Sequence, residues 1–163
     1  MIVSADDPLA GGDDARVELR ALAGRSWVHY TPGNGLARVL DQACAAAGFQ
    51  PRAAIRTEQT AAAPLLAAAG LGPALVPANL IPRHFDGHLL RPDPPVTRGL
   101  GAYTRVRPDP LTAAFADTLA RQACVMPPHV RDRLRLDTAP TGPGRPRSAP
   151  GGDRERDRPS GSG

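Results

Sequence analysis

The stretch RTEQTAAAPLLAAAGLGPALVP, Arg56 to Pro77, decides the fold. It reads as the end of a strand, a polar turn, a short apolar helix, a glycine stop and a second buried strand. Pro64 fixes where the helix begins. Deep inside a helix a proline costs about 3 kcal/mol, because it removes a hydrogen bond and its ring clashes with the preceding turn. With Thr60 as N-cap, Pro64 falls in the first turn, which predicts a helix over 61–69. Gly70 closes it. Pro73–Val76 is nearly all apolar, the pattern of a strand covered on both faces. The polar residues Thr57, Glu58 and Gln59 then gather at one edge of a strand–helix–strand unit. In such units ligands sit beyond the carboxyl ends of the strands, near helix N-termini.

Working outward, Arg52–Thr57 holds Ala54 and Ile55 between charges and reads as the strand entering this unit. Before it, Leu36, Val39, Leu40, Ala43, Cys44 and Ala47 recur at helical spacing. Asn34 is the natural N-cap, since its side-chain oxygen can take a free first-turn N–H. Gly48 is the natural stop, because glycine adopts positive φ without steric cost. Ser26–Tyr30 is a β-rich run, and Thr31–Asn34 is the turn that joins it to the helix. Met1–Ser4 reads as a short strand, 5–14 as a turn-rich loop, and Val17–Leu22 as a short turn of helix.

After Pro77 the chain returns. Ala78–Arg83 reads as a helical turn, Asp86–Arg91 as a turn and strand, and Pro92–Pro95 as a break. Gly99–Val106 reads as a strand leading away. Asp109 and Pro110 open a last helix as N-cap and first residue, and Leu111, Phe115 and Leu119 form its apolar face. From Pro127 onward the order decays, with seven prolines and six glycines among 37 residues. After about Arg135 no segment can bury enough apolar surface to offset its ordering entropy.

The net charge of +4 is unevenly placed. From Pro127 there are eight arginines against five acids, whereas the body carries twelve against eleven. The high pI is therefore mostly a property of the tail, and mixed charge makes that tail a solvated segment rather than a nucleic-acid arm. Cys44 and Cys124 lack metal-ligand spacing and read as small buried thiols of a reducing compartment. Neither a signal peptide nor an apolar run of about 18 residues is present, so the expectation is a cytoplasmic protein with no membrane contact.

Chemistry-bearing motifs are absent. His84 and His88 are loosely spaced, with no cysteine or further carboxylate to complete a metal site. Gly70-Leu71-Gly72 follows a helix and precedes a strand, the reverse of the dinucleotide fingerprint. No serine or cysteine stands with a histidine and an acid in a recognisable nucleophile motif. The reading is of a non-enzymatic chain without cofactor or metal, and His29 and Trp27 are packing residues.

Taken together, the pieces resemble the effector-binding region of LysR-type transcriptional regulators. Ile2-Val3-Ser4 followed by Asp7-Pro8-Leu9-Ala10 looks like the family's strand and "HPLA" turn, with Asp7 where the family often has histidine. Trp27–Tyr30 leads to the first helix of the family's second subdomain. Glu58-Gln59-Thr60, Leu66–Gly72 and Leu75-Val76-Pro77 look like its "VAAGLGVALVP" signature. Leu89, Arg91, Tyr103 and Arg107-Pro108 match the return through its hinge. The likeness covers roughly residues 1–121.

This resemblance implies an α/β fold of the type 2 periplasmic-binding-protein kind, in which two subdomains joined by crossover strands hold a small-molecule effector between them. On that plan 1–24 is a crossover strand and loop from a missing first subdomain. Residues 25–98 form the second α/β subdomain, 99–126 the return strand and helix, and 127–163 a disordered tail. It also implies a C-terminal fragment lacking the winged helix-turn-helix, so the chain itself should not bind DNA, while homo-oligomers are compatible with it. The apolar face of the last helix should then meet no adequate partner. Effector contacts carried over by the resemblance are Tyr30, Thr31, Gly33 and Asn34 at the first helix start and Glu58, Gln59 and Thr60 at the second. Each has ordinary helix capping as its alternative, and Glu58 suits an anion only if it turns outward or pairs with Arg56. The competing function is a solute-binding protein of a transport system.

Overall fold

A computed structural model describes residues 1–12, 15–99, 101, 103, 109–122 and 125–136. Its central feature is the parallel pair β3 (Ser26–Tyr30) and β4 (Arg52–Thr57), with Tyr30 opposite Thr57. They are joined by α1 (Gly35–Ala46), whose packing buries Leu36, Ala37, Leu40 and Cys44. Asn34 caps α1 as the sequence predicts, its Oδ1 accepting from Leu36 N at 2.9 Å. Gly48 ends it at φ +86°, and Phe49 N donates back to Cys44 O at 3.0 Å. That return bond satisfies a carbonyl the last turn would otherwise leave open.

The decisive stretch behaves largely as read, with two differences. A 3₁₀ turn at Thr60–Ala62 precedes α2 (Ala63–Ala68), so Pro64 sits in the first turn of the α-helix proper. Gln59 rather than Thr60 stands before that turn, and no side chain caps it. The strand expected at Pro73–Val76 is reduced to a single bridge between Ala74 and Ile2. The segment is nonetheless extended between two neighbours. Val28 N donates to Pro73 O at 3.0 Å, and Ile2 and Ala74 exchange both backbone bonds at 2.9 Å. Pro73 and Pro77 lack the N–H donors a longer ladder needs.

Beyond it, β1 (Ile2–Ser4) pairs antiparallel with β5 (Gly87–Leu89). Hydrogen bonds thus carry the order β4, β3, residues 73–74, β1, β5. Side chains alternate across this layer. Ile2, Val28 and Tyr30 pack with Ala63 and Ala67 of α2, whereas Met1, Val3 and Trp27 pack with Leu40 and Cys44 of α1. A sheet with a helix on each face is an α/β arrangement, as the sequence predicted.

At the margin, Arg16–Glu18 is a strand, β2, rather than part of a helical turn; the 3₁₀ turn occupies Leu19–Leu22. β2 pairs parallel with β6 (Arg91–Asp93), which continues through Pro92 where a break was expected. An edge position tolerates the proline because its missing N–H is not needed by a second neighbour. Asp7 closes the first loop: its Oδ1 accepts from Leu9 N at 3.0 Å, and Oδ2 pairs with Arg25.

α3 (Pro110–Gln122) begins at Asp109, whose Oδ1 accepts from Thr112 N at 2.7 Å. As expected, its apolar face is uncovered, with Leu111 80%, Phe115 66% and Leu119 48% exposed. Order extends past Pro127, where it was expected to decay. Pro128–Arg133 forms a helix, α4, whose Val130 is fully buried among Ile81, Phe85 and the β1–β3 core. His129 Nε2 bonds Ile81 O at 3.0 Å, and the Arg133 guanidinium lies 4.5 Å above the Phe85 ring. The strand read at Gly99–Val106 falls largely outside the described residues, as do Cys124, Arg107-Pro108 and the tail beyond Leu136.

Candidate functional site

The two turns singled out in the sequence are neighbours because β3 and β4 are parallel and in register at their carboxyl ends. Thr31 N donates to Thr57 O at 3.2 Å, which ties the turn after β3 to the turn before α2. Gly33 makes the first turn possible at φ +90°. In the second, the Thr57 hydroxyl accepts from Gln59 N at 3.2 Å, a local bond that orders the residues between strand and helix. Thr31, Gly33, Asn34, Glu58, Gln59 and Thr60 are exposed or half-buried along this edge.

Tyr30 is not among them. It is fully buried, and its hydroxyl donates to Leu75 O at 2.8 Å. Burial drives its acidity well below that of a free phenol. Its role is structural, tying β3 to the extended segment before Pro77, and this corrects its place in the contact set. Period-two alternation puts Tyr30 on the same face as Val28, which the sequence already marked as apolar. Asn34 is also partly committed, since its oxygen serves α1 and only its amide N–H₂ is left to face a ligand.

Behind the edge lies a network not foreseen from the sequence. Arg56 Nη1 contacts Tyr30 O at 3.1 Å and His29 Nδ1 at 3.0 Å, instead of pairing with Glu58. Tyr30 N also points at His29 Nδ1, at 2.9 Å. Tyr30 O lies 2.9 Å from Nδ1 as well, and on the other side of the ring Nε2 donates to Asp41 Oδ1 at 3.0 Å. His29 is therefore a buried, satisfied packing residue, as its strand position suggested. Arg56, itself exposed, is held by a carbonyl and an imidazole, and Glu58 is exposed beside it. Only the pairing of β3 with β4 brings these residues together; their separations in sequence carry no signal.

On the far face, Cys44 is a free, buried thiol; burial foremost, and then the nearby Asp41 carboxylate, push its pKa up to about 12. Such a thiol is inert as a nucleophile. Among the described residues no group of three or more His, Cys, Asp or Glu is placed to hold a metal ion. Among them, too, no helix is long and apolar enough to cross a membrane.

An α/β layer with polar turns paired at the carboxyl end of its parallel strands presents the edge at which open α/β sheets bind ligands. A family model described as the LysR substrate binding domain matches residues 1–124, and the chain belongs to this family. Among solved structures it is similar to the C-terminal domain of a probable LysR family transcriptional regulator from Rhodococcus sp. RHA1. The two are 34% identical over 44% of this chain and 34% of that one, with a TM-score of 0.40. No curated protein matches the chain.

Proposed function

We propose that the chain is the small-molecule effector-binding part of a LysR-type transcriptional regulator, acting by binding and not by catalysis. The observation that carries this reading is the pairing of Tyr30 with Thr57, which sets two helix-leading turns side by side in a domain of this family. Thr31, Gly33, Asn34, Gln59 and Thr60 form the contact edge, and Glu58 stands at its rim. Backbone N–H groups at such turns, together with hydroxyl and amide donors, favour a carboxylate or another small anion. In the type 2 periplasmic-binding-protein plan this layer is the second subdomain, and the effector also touches a first one. Closure of the two around the effector would shift the regulator between conformations and so change its promoter contacts, which lie elsewhere in such a regulator.

The test is an amide-resolved NMR titration of the chain with succinate and benzoate as carboxylate probes. Shifts centred on Thr31, Gly33 and Thr60, removed by Thr60→Tyr, are expected. Shifts confined to other surfaces, or none at millimolar probe, would overturn the assignment of this edge.

A further inference from the structure

Two cavities adjoin beneath α4, and none of the turn residues of the proposed effector edge lines either of them. The first, of about 360 Å³, is walled mainly by apolar side chains, among them Leu36, Val76, Leu90, Val96 and Val130, with Asn79, Thr97 and Arg98 also in its lining. That volume lies at the small end of the range for small-molecule sites. The second, of about 440 Å³, is lined by Arg16, His88, Arg91, Arg133 and Arg135 with a few small or apolar neighbours. Arg91, Leu134 and Leu136 line both, so the two spaces meet at a common wall. No acidic side chain lines either cavity among the described residues. Arg16, in the lining of the second, is engaged by Asp93, 3.9 Å away.

The roof is a built feature. α4 is anchored by the buried Val130, by His129 on Ile81 O and by Arg133 on the Phe85 ring. Its end repeats the stop seen after α1 and α2: Arg135 N donates to Asp132 O at 3.1 Å and Leu136 N to Arg131 O at 3.2 Å. In α1 and α2 the residue at this position is glycine, Gly48 at φ +86° and Gly70 at +84°. Here it is Arg135, at φ +48°. A non-glycine residue held in the left-handed region is a cost the fold retains at a place where glycine would remove it. Arg135 also lines the basic cavity.

We infer that the paired cavities form one site for an amphipathic anion. The apolar body occupies the space under Val130, and the carboxylate or similar head meets Arg91, Arg133 and Arg135. Guanidinium groups present forked donors that match a carboxylate. An apolar chamber alone would take neutral molecules equally well; Arg91 at the shared wall, with Arg133 and Arg135 in the adjoining space, selects the charged end.

The experiment uses the whole chain, with decanoate as probe and decanol as its uncharged counterpart, followed by calorimetry and amide NMR. Decanoate should shift resonances around Val130 and Val96, and Ala78→Trp, which fills the apolar cavity, should abolish the effect. Arg91→Gln and Arg135→Gly should each weaken decanoate by about tenfold and leave decanol unchanged. Arg135→Gly should at the same time raise the melting temperature by about 2–4 °C, since it relieves the left-handed residue. A loss of affinity with a gain of stability is not what a merely structural arginine would give. Thr60→Tyr, on the effector edge, should leave decanoate binding intact, which separates this site from that one. Absence of decanoate binding, affinity unchanged in both arginine variants, or shifts centred on Thr31 and Thr60 would each overturn the inference.

Discussion

Gly70 and Gly72 both adopt positive φ, +84° and +128°, yet alanine at the two positions should have very different effects. At Gly70 a Cβ would meet nothing within 4 Å. The cost there is the left-handed backbone, about 1–2 kcal/mol, offset in part by the lower entropy of the unfolded alanine chain, about 0.4–1 kcal/mol. At Gly72 a Cβ would overlap the carbonyl oxygen of Ser26 and lie 3.0 Å from its carbon. Both are backbone atoms of β3, so neither side can swing away. Relief requires the segment after Gly72 to draw back, which endangers Val28 N to Pro73 O and the two bonds between Ile2 and Ala74. At about 0.5–1.5 kcal/mol net for each bond, added to the backbone strain, Gly72→Ala should cost about 3–5 kcal/mol. For a chain of this size that is a fall of about 10 °C or more in melting temperature, against about 1–4 °C for Gly70→Ala. Trp27 is the chain's single tryptophan and is fully buried beside Ser26, so its fluorescence in a urea titration reports the transition at the affected place. Equal losses for the two variants would refute the close packing of residues 72–74 against β3, and with it the layer order derived from it.

Tyr30→Phe keeps the ring and removes the hydroxyl that Leu75 O accepts, so the buried acceptor loses its partner; the expected cost is about 1–2 kcal/mol by urea unfolding, with no change in carboxylate binding at the Thr31–Thr60 edge. Asp7 titrates with a lowered pKa: burial by itself would raise it, but the hydrogen bond from Arg25, the Leu9 N–H and the arginine charge outweigh that. The ionised form is therefore favoured in the fold. Its contribution is fully present above the unfolded value of 3.8 and is lost as pH falls through the lower folded value. Asp7→Asn should accordingly destabilise the chain by about 1 kcal/mol at neutral pH, and the gap to the parent should close in melts taken below the ordinary carboxylate range.

What the sequence made legible was whatever is encoded locally. Asn34 and Asp109 declare helix starts because a cap needs only its own next few residues, and Gly48 and Gly70 declare stops because few other residues take positive φ cheaply. The spacing of Leu36, Leu40 and Cys44 gives the buried face of α1, and the alternation of apolar positions gives β3. The resemblance to LysR effector domains rested on such local signals in their right order. The pairing of the two turns also followed, since a strand–helix–strand unit leaves parallel strands beside each other. The individual roles at that edge did not follow. Tyr30 became a contact residue by position in the family plan, whereas its partner, Leu75 O, lies 45 residues away. In sequence Glu58 is the acid beside Arg56, whereas in the fold Arg56 bonds across to His29 and Tyr30 O.

The clearest case of non-local decision is α4. Residues 128–133 hold a single aliphatic side chain among charges, and their helix ends on an arginine where the other two Schellman-type stops use glycine. By local accounting such a segment stays unfolded: six residues are far below the length at which a helix stands alone in water. What reverses the balance is Val130. Complete burial of one valine contributes about 1.5–3 kcal/mol, which exceeds the roughly 1–2 kcal/mol of left-handed strain at Arg135. The bond from His129 to Ile81 O and the stacking of Arg133 on Phe85 add to that margin. Every one of these partners lies 44 or more residues earlier in the chain, so composition alone could only assign the segment to the tail. The same separation hides the basic and apolar cavities from local sequence signals: their shared wall exists only once the fold brings Arg91 of β6 and Leu134 after α4 to the same two spaces.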